Sequence, residues 1–329
     1  MNQFHKISII TPSYNQGQYI EQTIDSVLSQ NYPNIEYIII DGGSTDNTVE
    51  IIKKYEKHLK YWVSEPDKGQ SDAINKGLKH ITGEIVNWIN SDDYYNNGVF
   101  KLLNELFSDP KINVVCGRSR IFKNNKTIKY TNGTDVYENN LAKTIGWARI
   151  DQPETFFRKS VLDEISPINT SLHYIMDRDI WIKYLLKYGL NNIIKTNETF
   201  VNFRYHTNSK TISLNKEFNI ERNSYFNALS TAIGNNFISS KLKQLYKIND
   251  INLNYLIKDN KVLIINAINY FILLLIYEEY EKNNYNLVTE LLKILNKKSL
   301  LQEDIKYLKK VEFKKKFLPV FIKNIIKRK

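Results

Sequence analysis

Dense apolar runs alternate with stretches of helical period at the start of the chain, and that rhythm sets the first expectation. Residues 6–11, Lys-Ile-Ser-Ile-Ile-Thr, form a short apolar run stopped by Pro12, the pattern of a strand buried on both faces. Beyond the turn at 13–17, Ile20, Ile24, Val27 and Leu28 recur at helical spacing, predicting a helix to about Gln30. Asn31-Tyr32-Pro33-Asn34 breaks it. The same unit then repeats. Residues 35–40 read as a strand, 41–46 as a tight loop, and Ile52, Tyr55 and Leu59 mark a helix capped by Asp46 or Asn47. A third strand over 61–64 leads through the loop 65–70 to a helix over 71–80. A fourth strand over 84–89 stops abruptly in Asn90-Ser91-Asp92-Asp93.

Alternation of this kind predicts a doubly wound α/β sheet whose loops at the strand C-termini form the site. Those loops are 11–14, 41–46, 65–70 and 90–93, all polar and compact, and three of them carry carboxylates. From about 110 the rhythm changes. Short strands are expected at 112–115, 118–122 and 127–130, then a loop and strand containing Trp147, Gln152 and Glu154, and a short helix over 160–164. Asp177 opens a helix with Ile180, Trp181, Tyr184, Leu185 and Tyr188 as its apolar stripe, and strands at 193–194 and 199–205 end at His206. After about 215 the character is helical and rich in Lys, Asn and Ile. Two domains are expected, 1–214 and 215–329. The apolar run 262–277, interrupted by Asn266 and Asn269, falls short of the about 20 residues that span a bilayer and reads as a buried helix.

Composition narrows the partners. The 329 residues are 42% apolar and 25% charged, enough for a sizeable core and against global disorder. Net charge is +11, which suits a phosphorylated substrate, an anionic membrane surface or nucleic acid. The acidic site loops argue against nucleic acid as the main partner, because the basic excess lies towards the C-terminus. One cysteine, Cys116, excludes an intrachain disulfide framework and fits a reducing cytoplasm. The Asn-x-Ser/Thr triplets at Asn125, Asn132, Asn169 and Asn197 then read as chance matches in an Asn-rich chain. The N-terminus lacks the basic-then-apolar pattern of a signal peptide.

Two adjacent carboxylates, Asp92 and Asp93, repel one another at the end of a buried strand. A divalent cation holding a diphosphate would neutralise them. An Asp-rich turn, with Asp capping its own backbone, is the alternative.

Several stretches, in order, resemble one family: "KISIITPSYNQGQYIEQTIDSVLSQNYPNIEYIIIDGGSTDNT", "EPDKGQSDAINKGL", "GEIVNWINSDD" and "MDRDIWIKYL". They look like family 2 glycosyltransferases of the GT-A fold, over roughly residues 5 to 210, with the helical C-terminal region outside the resemblance. The resemblance implies a Rossmann-like mixed sheet. It also implies an activated nucleotide-sugar donor, a UDP-sugar by preference, Mn²⁺ or Mg²⁺, and inversion at the anomeric carbon. By the same resemblance the acceptor is a glycan or a lipid-linked hydroxyl in surface polysaccharide synthesis.

The resemblance assigns roles residue by residue. The nucleoside lies over Thr11, Pro12 and Tyr14, with Asp41 near base or ribose, although Asp41 also suits an Asp-Gly-Gly turn. Lys68 approaches phosphate or is a solvated surface lysine, and Asp72 adds a ribose or base contact or favours its helix N-terminus. Asn90-Ser91-Asp92 occupies the place of the family's Asp-x-Asp. Asn90 departs at the first position, so metal binding rests on Asp92, with Asp93 and His206 assisting. Asp177 aligns with the catalytic base, and Met176 replaces the Glu that often precedes it. Asp179, two residues on, faces away from Asp177 on the helix. Gln152 and Glu154 face sugar or acceptor. Arg204 pairs with phosphate or a core carboxylate, while Tyr94, Trp88 and Trp181 read as packing residues, with stacking on a sugar face as the alternative.

The C-terminal region has two readings: a helical subdomain that packs on the catalytic domain or on a second copy of the chain, or a basic amphipathic segment that touches the inner face of the membrane. Phe317, Leu318, Val320, Phe321, Ile322, Ile325 and Ile326 interleave there with Lys323, Lys327 and Arg328. Two rival functions stand beside the transferase. A sugar nucleotidyltransferase would need a Gly-rich triphosphate loop, which is not seen after the first strand. A non-catalytic nucleotide-sugar-binding subunit would tolerate Asn90.

Overall fold

In the computed structural model the described residues are 4–147, 149–206, 209, 214–253 and 260–317, the side chains of 315–317 excepted. The chain divides into two compact units. The first is Met1–Val136 with Arg149–Glu221, and the second is Tyr137–Ala148 with Arg222–Lys329. The expected break at 214 is therefore displaced to 221, and a short excursion before 149 joins the second unit.

The first unit is built on a mixed sheet in the order β3-β2-β1-β4-β8-β6-β9-β5, with β7 paired to β6. The parallel half is the part predicted from the apolar runs: β1 (Ile7–Ser13), β2 (Ile35–Asp41), β3 (Tyr61–Ser64) and β4 (Ile85–Trp88). Helices α1 (Ile20–Leu28), α2 (Thr48–Lys54) and α3 (Gln70–Leu78) are the crossovers. Every residue of β1 and β4 is buried, which is why these strands read as continuous apolar runs. Ile7, Ile9, Ile24, Ile39, Ile52, Ile85, Phe100, Phe156 and Phe200 belong to one core cluster.

The other half departs from the expectation in detail. β5 (Tyr94–Tyr95) and α4 (Val99–Leu106) follow the Asn90 loop and were not anticipated. The strands expected at 112–115 and 118–122 are one strand, β6 (Val114–Lys123), and those at 193–194 and 199–205 are one strand, β9 (Ile193–Arg204). The pair runs parallel, with register shifts around Cys116, Arg118 and Ser119. Gly117 sits at that irregularity, and a Cβ there would come 2.4 Å from the Phe200 ring. Bulges of this kind split a long strand into two apparent ones in sequence. β7 (Lys126–Tyr130) and β8 (Thr155–Arg158) complete the sheet, with α6 (Lys159–Ile165) and α7 (Met176–Tyr188) following.

The second unit is helical: α5 (Leu141–Trp147), most of α8 (Asn215–Ala232), α9 (Asn236–Leu245), α10 (Lys261–Glu281), α11 (Tyr285–Ile294) and α12 (Gln302–Phe317). Helix α10 is long and apolar enough to cross a membrane by length and composition, yet 61% of its most apolar window is buried within the protein. This agrees with the buried helix expected there. Phe271 stacks on Phe226 at 4.0 Å between ring centroids. Asn269, which interrupts the apolar run, is a tie: its amide donates to the Asn296 carbonyl and its oxygen accepts from the Asn296 amide. Gly146 lets α5 approach α10 closely, since a Cβ there would lie 2.0 Å from the Ala267 carbonyl oxygen. The basic stretch proposed for a membrane surface, residues 318–329 with the side chain of Phe317, lies outside the described residues.

Candidate active site

Side chains of neighbouring loops sew together the loops at the C-terminal ends of β1 to β4. The Asn15 amide donates to Ser44 Oγ at 2.7 Å, the Gln16 amide to Thr48 Oγ1 and the Gly17 amide to Asp46. Thr45 returns a backbone donor to the Asn15 side chain. Gln70 donates to Asn90 Oδ1 at 2.6 Å, joining the third loop to the fourth. Thr23 on α1 holds the fourth loop through the carbonyls of Ser91 and Asp93. Loops fixed in this way form a preorganised rim rather than mobile connections.

Within that rim several assignments change. Asp41 is fully buried, and its carboxylate accepts from the Gly43 and Ser44 amides and from the Ser44 and Ser64 hydroxyls. It organises its loop, as the turn reading expects. Thr11 is likewise buried, with its hydroxyl paired to Tyr37 at 3.0 Å. Pro12 and Ser91 are buried as well, whereas Tyr14 is exposed at the rim. Of the three nucleoside-platform residues, Tyr14 alone presents a free face. Lys68 is exposed, and Asp72 receives the Lys68 amide at 3.1 Å, which puts Asp72 in the role of helix-start residue. Gln152 is buried and braces β4, donating to Asn87 Oδ1 and to the Trp88 carbonyl. Trp88 and Trp181 are core residues, as expected.

The adjacent carboxylates resolve their repulsion by parting. Asp93 is buried, and its Oδ1 accepts the Arg204 amide at 2.8 Å. Burial, then the charge on Asp92, pushes its carboxyl well above the usual range. Asp93 is thereby removed from the predicted metal set: its carboxyl turns inward to the β9 backbone. Asp92 instead meets His206, with Oδ2 and Nε2 2.9 Å apart and both side chains partly accessible. Among the described residues the Arg204 guanidinium makes no ion pair with a carboxylate. Its Nε donates to the Asp92 carbonyl and its NH2 to Gln22, and its guanidinium lies over Tyr19 at 4.7 Å and Phe122 at 4.9 Å. Tyr19 also flanks the His206 ring, at 4.9 Å.

Among the described residues no group of three or more His, Cys, Asp or Glu could hold a metal. The pair Asp92 and His206 nevertheless suits a divalent cation that takes its remaining ligands from phosphate and water. Hard cations of this kind need one or two carboxylates beside substrate oxygens, and imidazole is an acceptable partner for Mn²⁺.

Asp177 lies in the first turn of α7, half-buried, with its Oδ1 accepting the Arg178 amide at 2.8 Å. Burial raises its pKa to about 6, against the lowering effect of the Arg178 amide and charge, and the negative Asp151 adds to the rise. Asp179 is buried and ion-paired with Lys183 at 2.9 Å, so the two aspartates do face different ways. Asp151 and Glu221, around Asp177, escaped the sequence reading, whereas Glu154, expected to face sugar or acceptor, is buried among hydroxyl donors. Asp151 is raised by burial, against the Arg149 guanidinium 3.1 Å away. Its neighbour Glu154 is buried, accepts from the Ser119 and Thr131 hydroxyls, and is raised well above the usual range, first by burial and then by Asp151. The Glu221 carboxylate accepts the amides of His173, Tyr174 and Ile175 at 2.8, 2.7 and 2.9 Å. It holds the approach to α7 in place of an N-cap. Nothing in the local sequence marks a partner more than forty positions away.

Residues 8–166 match the family described as Glycosyl transferase family 2. Over that stretch the chain is similar to family 2 glycosyltransferases. Poly-beta-1,6-N-acetyl-D-glucosamine synthase from Staphylococcus epidermidis is 31% identical over 52% of this chain and 43% of its own length. The chain spans less than two thirds of the length of the curated relatives it matches first. S. aureus TarS 1–349, in complex with UDP-GlcNAc, superposes with a TM-score of 0.54 at 20% identity, over 81% of this chain and 80% of that one. The mannosyltransferase PcManGT from Pyrobaculum calidifontis, in complex with GDP-Man and Mn²⁺, gives 0.51 at 15% identity over 88% and 74%. Both neighbours share the GT-A fold of the glycosyltransferase domain, and the Mn²⁺ belongs to the second of them.

Proposed function

We propose that this glycosyltransferase moves a sugar from a UDP-sugar to a hydroxyl of a glycan or lipid-linked acceptor, with inversion, in polysaccharide or glycoconjugate synthesis. One observation carries the reading: Asp177 stands half-buried at the start of α7 with a pKa of about 6, suited to a base that works near neutral pH. The acceptor O–H gives its proton to the Asp177 carboxylate. Its oxygen forms the new bond to the anomeric carbon as the bond to the diphosphate breaks, and UDP leaves with the electron pair. Asp92 and His206 would hold Mn²⁺ or Mg²⁺, which when bound neutralises charge on the departing diphosphate. Tyr14 supplies an exposed ring at the nucleoside end of the rim, and Lys68 a cation free to reach phosphate. The relative from S. epidermidis, named for a polysaccharide product, supports the substrate class. In this reading the enzyme works at the cytoplasmic face, where residues 318–329 bring it to a lipid-linked acceptor.

The sign of the pH dependence follows from the base being active when deprotonated. Transfer rises as pH climbs through about 6 and levels off above it. Asp177→Asn, checked for an unchanged circular dichroism spectrum, is expected to lower kcat about 10²–10⁴-fold and to remove that rise. A full transfer rate in the folded variant would overturn the assignment.

A further inference from the structure

The helical second unit contains an open pocket of about 500 Å³ lined by Tyr137, Lys143, Trp147, Tyr277, Glu303, Asp304 and Tyr307. All of these belong to that unit. The volume falls in the range of small-molecule sites, about 300–1,000 Å³, and the lining has their usual make-up of apolar rings with a few convergent polar groups. Trp147 meets Tyr277 edge-on at 4.9 Å, and Tyr277 meets Tyr307 at 4.3 Å. Lys143, although only 7% exposed, sends its ammonium between the rings of Tyr137 and Trp147, at 4.8 and 5.7 Å, and pairs with Asp304 Oδ1 at 2.8 Å.

That pair is incompletely satisfied. Asp304 is 6% exposed, and its second oxygen, Oδ2, is buried without a hydrogen-bond partner. An orphaned carboxylate oxygen in a buried site costs on the order of 1–3 kcal/mol, more for a charged group, so a hydroxyl donor that entered the pocket and met this oxygen as the side chain turned towards it would remove that cost. The donor must be neutral or only weakly polar overall, because Lys143 already fills the cation position between the rings. It must also present apolar faces, because four aromatic side chains surround it. A pyranose has both properties: C–H faces that lie on rings and hydroxyls that donate to a carboxylate.

We propose that this cavity is an accessory saccharide-binding site, separate from the Asp92 and Asp177 centre, that holds a neutral sugar unit. Asp304 Oδ2 accepts a sugar hydroxyl, Lys143 donates to a ring or hydroxyl oxygen, and Trp147 with Tyr307 covers the C–H face. The choice of a saccharide over another neutral polyol rests on the proposed function, in which both substrates are sugars. The site itself does not depend on Asp177.

The test is ligand-observed saturation-transfer NMR and titration on the full chain. The probes are glucose, N-acetylglucosamine, cellobiose and chitobiose, with tetramethylammonium as a cationic control. At least one saccharide should bind saturably, and at least tenfold more weakly to Tyr307→Ala and to Asp304→Asn. Tyr307 is 39% exposed, so Tyr307→Ala is expected to disturb the helical packing less than Asp304→Asn, and an unchanged circular dichroism spectrum checks this. Binding should be unchanged in Asp177→Asn and in the presence of excess UDP. The proposal is overturned by no binding of any of the four sugars, by binding that survives both cavity variants, by competition with UDP, or by tetramethylammonium binding in place of sugars. Saccharide binding that persists in a chain whose Asp177→Asn form still transfers would sink the base assignment and leave this site standing.

Discussion

The two compact units place their polar groups by different rules. In the first, strand direction gathers them: four parallel strands end on one side, so short polar loops that are far apart in sequence meet there without a special signal for each. In the second, no such rule operates. Lys143 comes from a short helix after the seventh strand, Tyr277 from α10 and Asp304 from α12, and only packing brings them together. A sheet's topology therefore exposes a site to sequence reading, whereas a helical bundle hides one.

That contrast can be probed by perturbing each unit where it is buried. Lys183→Met in the first unit removes the ammonium 2.9 Å from the buried Asp179 carboxylate. A loss of about 3–5 kcal/mol is expected from denaturant unfolding followed by tryptophan fluorescence. A change under 1 kcal/mol would show that the pair is not desolvated in solution. Asp92→Ala acts on the site without touching the core. With Mn²⁺ present, UDP affinity by calorimetry should fall about 10–100-fold, and without Mn²⁺ it should match the native protein. Equal Mn²⁺ stimulation in both proteins would remove Asp92 from the cation site. Gly146→Ala tests the second unit. Helix propensity favours the alanine by about 1 kcal/mol, but its Cβ would press on the Ala267 carbonyl, so a net loss of about 1–2 kcal/mol is expected in thermal unfolding. A net gain would mean that α5 and α10 separate at little cost.

Much of the catalytic half was legible because burial writes itself into sequence. β1, β2 and β4 are almost wholly buried and read as apolar runs, and the polar loops that follow β1 to β4 mark the site side, although β1 continues through the expected stop at Pro12 to Ser13. The divergence of Asp177 from Asp179 followed from helical geometry alone. What could not be read was the direction of polar side chains within a loop. Asp41 and Asp93 have the composition of ligands, yet one is consumed by its own turn and the other by the β9 backbone. Nor did the sequence reading anticipate that one segment, 137–148, groups with the second unit.

Glu221 links these observations to how such chains diversify. Family members that exchange their C-terminal regions would recombine most naturally at the compositional change near 214. A crossover there removes the acceptor for three consecutive amides just ahead of the proposed base, although every motif of the catalytic half survives intact. Breakpoints compatible with activity should therefore fall after 221, inside α8 rather than at its start. Inheritance of the catalytic half then includes the opening turns of a helix that otherwise belongs to its neighbour.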